Sequence, residues 1–346
     1  MQKVIVNGRF FIHRVTGVER YAREILSELD KIIKPDELEI AIPPEVKDVP
    51  EYKNIKITKV GILNNRLWEH ISFPIFVKRQ NAVSLNLCNV APLPSPGMVT
   101  IFDMKFRDHP EFFSKEFVLW YRLLFANVAK RAILIFTDSN SAKDDILRYY
   151  KIDESKIIVT PCAWQHYQRI GYDEDALGNY GLIKNEYYFA MGSLDPNKNF
   201  KWIAEAAKKN PDKIFAIAGS INKKVFAEGL GFECPENMKL LGYISDEEAK
   251  TLMRGCRAFL FPSFCEGFGI PPLEALSAGA KSIIVSDIPV MHELFGDSAV
   301  YVDPTQCNFN IDNAYYVTNA ERTKILSKYD WNKSALILYR EIIQRL

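Results

Sequence analysis

Short apolar runs rich in β-branched residues alternate with longer segments of helical period along the whole chain. The short runs predict β-strands, at residues 3–11, 37–42, 55–60, 82–88, 98–103, 133–137, 156–161, 187–192, 213–218, 238–243, 258–262, 281–286 and 299–302. Apolar residues that recur every three or four positions predict helices, at residues 18–29, 143–149, 200–209, 246–254, 272–278 and 332–346. Continuous apolar strands that alternate with helices predict parallel sheets covered on both faces.

Two successive sets of strands, in a chain of 346 residues, predict an α/β protein with two doubly wound domains. We expect a first domain at residues 1–165 and a second at 186–328. Residues 166–185 lack a strong period and are the predicted linker, and residues 329–346 are expected to cross back onto the first domain. Because ligands bind beyond the carboxyl ends of parallel strands, two such domains facing one another predict a ligand in the cleft between them.

The composition is that of an ordinary soluble protein, with 48% hydrophobic and 25% charged residues. A net charge of +1 argues against nucleic acid as a partner. No apolar run approaches the roughly 18–20 residues of a membrane span, and the N-terminus is typical of a strand rather than a signal peptide. The six cysteines lack the spacing of a disulfide framework or a zinc site. We therefore expect a cytoplasmic location and no metal.

The most informative stretch is residues 261–280, FPSFCEGFGIPPLEALSAGA. A buried strand leads into a turn of small residues, and a helix is expected to begin at Pro271 or Pro272. Gly267 and Gly269 let the backbone approach a ligand, and free amides at the start of a helix attract anionic groups. Gly279 is placed to end the helix.

Two carboxylates flank this turn, Glu266 in the loop and Glu274 in the helix. Carboxylates bind sugar hydroxyls well because each accepts two strong hydrogen bonds. The alternative interpretation is a solvated loop glutamate and a glutamate that favours the helix dipole.

Three further segments follow predicted strands or open predicted helices. Lys198 lies in MGSLDPNKN and offers a point charge for an anionic group, or else is a solvated loop lysine. Thr16 and Glu19 have capping-box spacing around Gly17, where a backbone can approach a ligand. Asp103 ends a strand and either faces a ligand or caps the next turn. His166, beside Trp164, either faces the cleft or is a packed surface residue, and the second interpretation is favoured.

The block PSFCEGFGIPPLEALSAGA resembles the signature of glycosyltransferase family 4, the retaining GT-B enzymes also called glycosyl transferases group 1. The resemblance covers nearly the whole chain. It implies the GT-B fold, with two Rossmann-like domains. It also implies donor-site roles: Glu266 and the backbone of Phe268, Gly269 and Ile270 hold the transferred sugar and its phosphates, Glu274 holds the nucleotide ribose, Lys198 binds the pyrophosphate, and Gly17 contacts the donor phosphates.

The resemblance also implies that turns after the strands of the second domain contact the donor, at Ser193, Gly219, Tyr243 and Ile244. The sequence departs from the family pattern at three positions. Phe102 stands where a histidine is usual, which leaves Asp103 as the candidate acceptor-side group. Ser193 and Asn197 stand where many members have arginine. Lys198 must then supply more of the positive charge, or an arginine elsewhere contributes.

The implied activity is a retaining, metal-independent transfer of a hexose from a nucleotide-sugar, of UDP or GDP type, to a glycan or lipid-linked acceptor. Surface polysaccharide or O-antigen synthesis is the expected setting, and no cofactor is expected. The alternative is a catalytically weak GT-B protein that binds a nucleotide-sugar or serves as a partner subunit. A dehydrogenase is disfavoured because no GxGxxG follows the early strands.

The segment 117–132, FVLWYRLLFANVAKRA, is strongly apolar and ends in two basic residues. Such a helix either is buried in its domain or lies on a membrane surface, where lipid-linked acceptors reside. Peripheral contact with the inner face of the membrane is therefore a second expectation about location.

Overall fold

The computed structural model describes residues 2–193, 195–219, 234–308, 310–311 and 315–346. The chain divides into two compact units. The first comprises Met1–Cys162 together with Trp331–Leu346, and the second comprises Ala163–Asp330.

The first unit is built on a seven-stranded parallel sheet. Its strands are β1 (Val4–Asn7), β2 (Leu38–Ile42), β3 (Lys56–Lys59), β4 (Val83–Asn86), β5 (Met98–Thr100), β6 (Leu134–Thr137) and β7 (Ile157–Val159). They lie in the order β3-β2-β1-β4-β5-β6-β7. The central strands β1, β4 and β6 are buried along their whole length, which requires cover on both faces. The edge strand β3 begins and ends with an exposed lysine, and such charges discourage pairing with another chain.

The helices of this part of the chain are α1 (Gly17–Ile32), α2 (Asn65–Leu67), α3 (Phe73–Arg79), α4 (Lys105–Asp108), α5 (Lys115–Arg131) and α6 (Asn140–Tyr149). A π-helical turn, Trp68–Ser72, joins α2 to α3, and short 3₁₀ turns lie at Gly8–Ile12, Pro110–Phe112 and Glu154–Lys156. Helix α1 buries the predicted apolar face against the sheet, including Tyr21, Ile25 and Leu29. Helix α6 begins at Asn140, three residues earlier than its periodicity predicted, because the Ser139 hydroxyl accepts a hydrogen bond from Ala142 N.

The second unit contains a six-stranded parallel sheet. Its strands are β8 (Tyr187–Met191), β9 (Ile214–Ala218), β10 (Met238–Gly242), β11 (Ala258–Phe261), β12 (Ile283–Ser286) and β13 (Val300–Val302). They lie in the order β10-β9-β8-β11-β12-β13. Alternate residues of the central strands fill one core, among them Tyr188, Phe215 and Leu260. Their neighbours Phe189 and Phe259 are equally buried, so this sheet is also covered on both faces.

The described helices of this unit are α7 (Ala176–Asn179), α8 (Phe200–Lys209), α9 (Asp246–Gly255), α10 (Ile270–Ala278), α11 (Pro289–Phe295) and α12 (Asn319–Lys328), with 3₁₀ turns at Gln165–Arg169 and Pro196–Lys198. A capping box opens α9, since Ser245 N donates to Glu248 Oε2 (2.7 Å) and Glu248 N donates to Ser245 Oγ (3.1 Å). Helix α10 is buried almost all round and ends at Gly279, which has a φ of 104°.

The last helix, α13 (Trp331–Arg345), belongs to the first unit. The Trp331 ring packs edge-on to Tyr21, with centroids 6.0 Å apart. The Ser334 hydroxyl donates to Pro161 O (2.7 Å), and the Tyr339 hydroxyl donates to Glu37 Oε2 (2.9 Å). These contacts tie both ends of α13 to the first sheet and its helices.

Each of the thirteen predicted strand segments contains one observed strand. The largest difference in length is at residues 3–11, where β1 stops at Asn7 because the Asn7 side chain accepts from Arg9 N (3.2 Å) and begins a 3₁₀ turn. The predicted linker 166–185 is an integral part of the second unit. Tyr167 is buried there, and Lys250 Nζ donates to Tyr167 O (2.7 Å) and Ile170 O (2.6 Å).

Candidate active site

Two loops meet at the carboxyl edge of the second sheet, one after β8 and one after β11. Asn199, which ends the first loop, has a left-handed backbone with a φ of 54°. Its amide donates to Pro262 O (2.9 Å) and to Pro304 O (2.8 Å). Asn tolerates this conformation better than most residues. Its side chain fixes the loops after β11 and β13 to the end of the loop after β8. Leu194, in the same loop, lies outside the described residues.

Asn197 joins the two loops directly and is completely buried. Its Nδ2 donates to Cys265 O (2.8 Å), and Cys265 N donates back to its Oδ1 (3.0 Å). Phe264 N donates to the backbone oxygen of Asn197 (3.0 Å). The sequence pattern marked Asn197 as a lost arginine. In the structure its side chain fixes the loop after β11 against the segment that carries Lys198.

Lys198 and Glu266, both predicted as catalytic, form an ion pair at this edge, with Nζ 2.7 Å from Oε1. The two side chains are only 18% and 9% exposed. Lys198 Nζ also lies 4.8 Å from the centroid of the Phe261 ring. A cation and a carboxylate thus meet in a half-buried position, where their interaction with charged groups is stronger than in bulk water.

The turn into α10 is shaped by Gly269, which has a φ of 118°. A Cβ at this position would lie 2.7 Å from Met291 Cε. Phe268 is buried and packs edge-on to Tyr329 at 5.2 Å, and the Ile270 side chain is also buried. The Phe268 and Ile270 side chains thus belong to the core, and ligand contact through the backbone of these three residues stays a prediction.

Glu274 is 8% exposed and pairs with His166, whose Nε2 lies 2.7 Å from Glu274 Oε1. His166 is itself 1% exposed. The Trp164 indole donates to Leu326 O (2.9 Å), and the Gln165 amide donates to Tyr329 O (2.8 Å), so the segment before His166 is fixed. The sequence interpretation of His166 as a packed residue missed this partner, since 108 positions separate the two side chains.

The other predicted donor-side residues lie at strand ends of the same unit. Gly219 N donates to Gly242 O (2.9 Å), which places the turns after β9 and β10 side by side. Tyr243 is 72% exposed, whereas the Ile244 side chain is buried. Ser193 is exposed in the loop after β8. Among the described contacts, none joins these four residues to Lys198 or Glu266. Their donor-binding role stays a prediction.

The first unit contains two predicted site residues. Gly17 is exposed at the start of α1, where Thr16 N donates to Glu19 Oε2 (3.1 Å) in the predicted capping box. Asp103 Oδ1 accepts from Lys105 N (3.1 Å), so this carboxylate caps the turn that follows, yet it remains 26% exposed. Phe102, which replaces the usual histidine, is buried edge-on against Tyr21 at 5.0 Å.

Metal binding is the remaining question about the site. Within the described residues, no group of three or more His, Cys, Asp or Glu side chains is arranged to hold a metal ion. Metal independence remains a prediction from the family resemblance.

Residues 180–310 match the family model described as glycosyl transferases group 1. This segment forms a glycosyl transferases group 1 domain. It contains the Lys198–Glu266 pair and Glu274, so the strand–loop–helix block that carried the resemblance lies inside the matched region.

Two of the curated relatives that this chain matches are mannosyltransferases. The O-antigen chain mannosyltransferase RfbU of Salmonella typhimurium is 29% identical over 62% of the chain and 58% of its own length. The O-antigen chain mannosyltransferase B of Escherichia coli is 25% identical over 60% of the chain and 57% of its own length. The matched regions span less than two thirds of either relative.

Solved structures resemble the whole chain. Sucrose-phosphate synthase from Thermosynechococcus elongatus matches with a TM-score of 0.76 at 15% identity, and all of both chains is covered. Anabaena HepE in complex with UDP-glucose matches with a TM-score of 0.71 at 12% identity, over 99% of this chain and 100% of that one. These likenesses concern the fold alone. They confirm the prediction of an α/β protein with two Rossmann-like GT-B domains.

Proposed function

We propose that this protein is a retaining glycosyltransferase that moves a hexose from a nucleotide-sugar to a glycan or lipid-linked acceptor. Mannose is the proposed sugar and O-antigen or surface polysaccharide synthesis the proposed setting, because two of the curated relatives are O-antigen chain mannosyltransferases. The observation that carries the proposal is the Lys198–Glu266 pair at the carboxyl edge of the second sheet.

The pair suits the two halves of a nucleotide-sugar. A lysine ammonium is a compact charge that binds phosphate oxygens, and a carboxylate accepts hydrogen bonds from sugar hydroxyls. The two groups form an ion pair with each other at 2.7 Å. A donor would separate them, with Lys198 on the diphosphate and Glu266 on the sugar, so that neither charge is left unpaired.

The proposed reaction forms a bond between an acceptor hydroxyl oxygen and the anomeric carbon while the bond from that carbon to the diphosphate oxygen breaks. The bonding pair leaves with the diphosphate, and the acceptor proton passes to a diphosphate oxygen on the same face. Lys198 and the backbone N–H groups of Phe268, Gly269 and Ile270, which precede the two prolines of α10, stabilise the charge that grows on the leaving group. Glu274, held by His166, binds the ribose of the same nucleotide. Neither a metal nor a cofactor is required.

The alternative is a catalytically weak GT-B protein that binds a nucleotide-sugar without transferring it. The departures at Phe102 and Ser193 favour it, since each stands where many members of the family have a charged or titratable side chain. The departure at Asn197 does not support it, because the Asn197 amide bridges the two loops of the site. Measurement of donor hydrolysis and transfer decides between the two functions.

The donor base is tested by thermal denaturation with GDP-mannose, UDP-glucose and a dTDP-sugar. We expect one base to raise the melting temperature in a dose-dependent manner, by roughly 5–10 °C at about 100 times its Kd. Glu274→Gln should reduce that rise because it removes a charged acceptor from the ribose. Glu205→Gln, on the exposed face of α8, is the matched control and should respond like the wild type. Equal shifts with all three bases, or with none, would contradict the proposed donor site.

None of the described helices is long and apolar enough to cross a membrane. Helix α5 buries one face, including Val118, Leu124 and Phe125, and exposes Leu119 (61%) and Leu123 (58%). The predicted burial of this helix therefore holds for half of its surface. Trp120 connects it to the helices before β4, since its ring lies 5.5 Å from that of His70.

We define the apolar patch as the exposed side chains of these neighbouring helices, Leu67, Ile71, Ile75, Leu119 and Leu123. Exposed Arg122, Lys130 and Arg131 lie on the same helix α5. Apolar side chains flanked by basic ones are typical of contact with an anionic membrane surface. We propose that this protein is cytoplasmic and that it uses this patch to bind the inner face of the membrane, where a lipid-linked acceptor would lie.

Co-sedimentation with vesicles of phosphatidylcholine and phosphatidylglycerol at low salt tests the patch. The wild type should sediment with anionic vesicles, and Leu119→Asp/Leu123→Asp should lose most of this binding because two charges would enter the lipid interface. Ile183→Asp, at an exposed apolar position of the second unit, should bind like the wild type. If the wild type stays in the supernatant at low salt, the membrane proposal is wrong.

A further inference from the structure

A buried polar network lies at the carboxyl edge of the first sheet, between β1 and β4. Asn7 is the last residue of β1 and Asn86 is the last residue of β4. From β1 the chain builds β2 and β3 to one side and then returns to place β4 on the other. Such a reversal of strand order opens a crevice at the carboxyl edge, which is where ligands of parallel sheets bind.

Glu69 is the centre of the network and is 3% exposed. Its Oε1 accepts from Asn7 Nδ2 (2.8 Å), and its Oε2 accepts from Arg9 Nη1 (3.1 Å). Asn7 Nδ2 also donates to Asn86 Oδ1 (3.1 Å), and Asn86 Nδ2 donates to Pro96 O (2.9 Å). Side chains from two strand ends and the π-helical turn therefore hold one guanidinium in place.

Arg9 is the member of this network that remains accessible, with 19% of its side chain exposed. Its Nε is buried without a hydrogen-bond partner. A buried ion pair of this kind adds little stability over an apolar pair of the same size. A fixed arginine is instead typical of a binding site, because the planar guanidinium recognises phosphate oxygens with two parallel hydrogen bonds.

The surroundings of Arg9 carry both aromatic and charged side chains. The pKa of the Tyr121 hydroxyl is raised, first by burial and then by Asp103 and Glu69, whereas Arg66 and Arg9 lower it. All four charges therefore lie within electrostatic range of this one hydroxyl. With Lys105, which lies 3.7 Å from Asp103, three cations face two carboxylates, and the local charge is +1.

His70, next to Glu69, forms part of the same wall. Its Nδ1 accepts from Leu93 N (3.4 Å), and burial lowers its pKa, as do the charges of Arg9 and Arg66, against the opposing effect of Glu69. Burial therefore disfavours the protonated, positively charged form of this imidazole. The positive charge of the crevice then comes from Arg9, Arg66 and Lys105.

We propose that Arg9, positioned by Glu69 and Asn7, binds a phosphate oxyanion of a substrate at the carboxyl edge of the first sheet. This inference rests on the proposed glycosyltransferase function, in which the nucleotide-sugar donor carries a diphosphate. One source of the oxyanion is the nucleotide-sugar donor, and the other is a lipid diphosphate that carries the acceptor.

The test measures the Kd of GDP, UDP and farnesyl diphosphate by calorimetry on the full chain. Arg9→Lys keeps the charge beside Glu69 but loses the planar fork, and Arg9→Ala/Glu69→Gln removes both charges, so that no buried carboxylate is left unpaired. We expect both variants to raise the Kd of one diphosphate by about 10-fold or more, within the range of charged hydrogen bonds. A raised Kd for a nucleotide identifies the donor as the source of the oxyanion, and a raised Kd for farnesyl diphosphate identifies the acceptor.

Controls separate this inference from the proposed function. Glu69→Gln should give a smaller loss for the same diphosphate, because it loosens Arg9 without removing it, and thermal denaturation should show that each variant is folded. Unchanged Kd values for all three ligands in folded Arg9 variants would overturn the Arg9 site. If Lys198→Ala also leaves nucleotide binding and transfer unchanged, the proposed function fails separately.

Discussion

Replacement of Lys198 with alanine is expected to lower the turnover of the nucleotide-sugar donor by about 10²–10³-fold. This is the loss typical of removing one group that stabilises charge in a transition state. The Lys198 ammonium meets Glu266 at 2.7 Å and is the proposed partner of the leaving diphosphate. Donor binding should weaken less than turnover, because the charge on the diphosphate oxygen grows as the bond breaks. Steady-state kinetics with a radiolabelled donor would measure both.

The matched control for this variant is Lys201→Ala. Lys201 lies three positions further along the chain on the exposed face of α8, so its loss should leave turnover unchanged. Lys198→Arg retains the charge and should recover part of the activity. Equal turnover by the wild type and Lys198→Ala would remove Lys198 from the mechanism. Equal donor binding with no turnover by either protein would favour the binding-protein alternative.

Replacement of Asn197 with alanine is expected to lower the free energy of unfolding of the second unit by about 2–4 kcal/mol. The substitution removes the side-chain amide that pairs with the Cys265 N–H at 3.0 Å and with the Cys265 C=O at 2.8 Å. Loss of one partner from a buried hydrogen bond costs about 1–3 kcal/mol. The melting temperature should fall by roughly 5–15 °C for a unit of this size. Differential scanning calorimetry would measure the change.

Asn197→Asp provides a sharper version of this test. The aspartate still accepts a hydrogen bond from Cys265 N, but it places a carboxylate oxygen against the Cys265 carbonyl, so it should also destabilise the protein. Asn308→Ala is the matched control, since Asn308 is exposed and its amide donates to the neighbouring side chain of Gln306 (3.0 Å). A melting temperature for Asn197→Ala within one degree of the wild type would show that the bridge between the loops carries no stability.

The strands were predictable because their signal is local. Each strand that lies inside a covered parallel sheet, such as β6 or β11, is a continuous apolar run with turn residues on both sides. The start of α1 was equally readable, since Thr16 and Glu19 form their capping box within four residues of chain. The helices α2 and α3 were not predicted, because a three-residue helix, a π-helical turn and a seven-residue helix do not keep one period.

The site was predictable only in part. Glu266, Glu274 and Lys198 stood out from the motif, and the structure brings Lys198 and Glu266 together. Three contacts were not predicted: the pairing of His166 with Glu274, the hydrogen bond from Asn197 to Cys265, and the ion pair of Glu69 with Arg9. In each case the partners lie 60 or more positions apart, so no window along the sequence contains both.

The sequence by itself determined the α/β class, the thirteen strands and the block that identifies the glycosyl transferases group 1 domain. These features depend on residues that are close along the chain, where period, turns and caps have short-range causes. The tertiary structure decided what the polar residues do. Asn197, read along the chain as a missing arginine, is a buried bridge, and His166 is the partner of a carboxylate. A polar side chain takes its role from the groups that burial forces it to pair with, and folding alone brings those groups together.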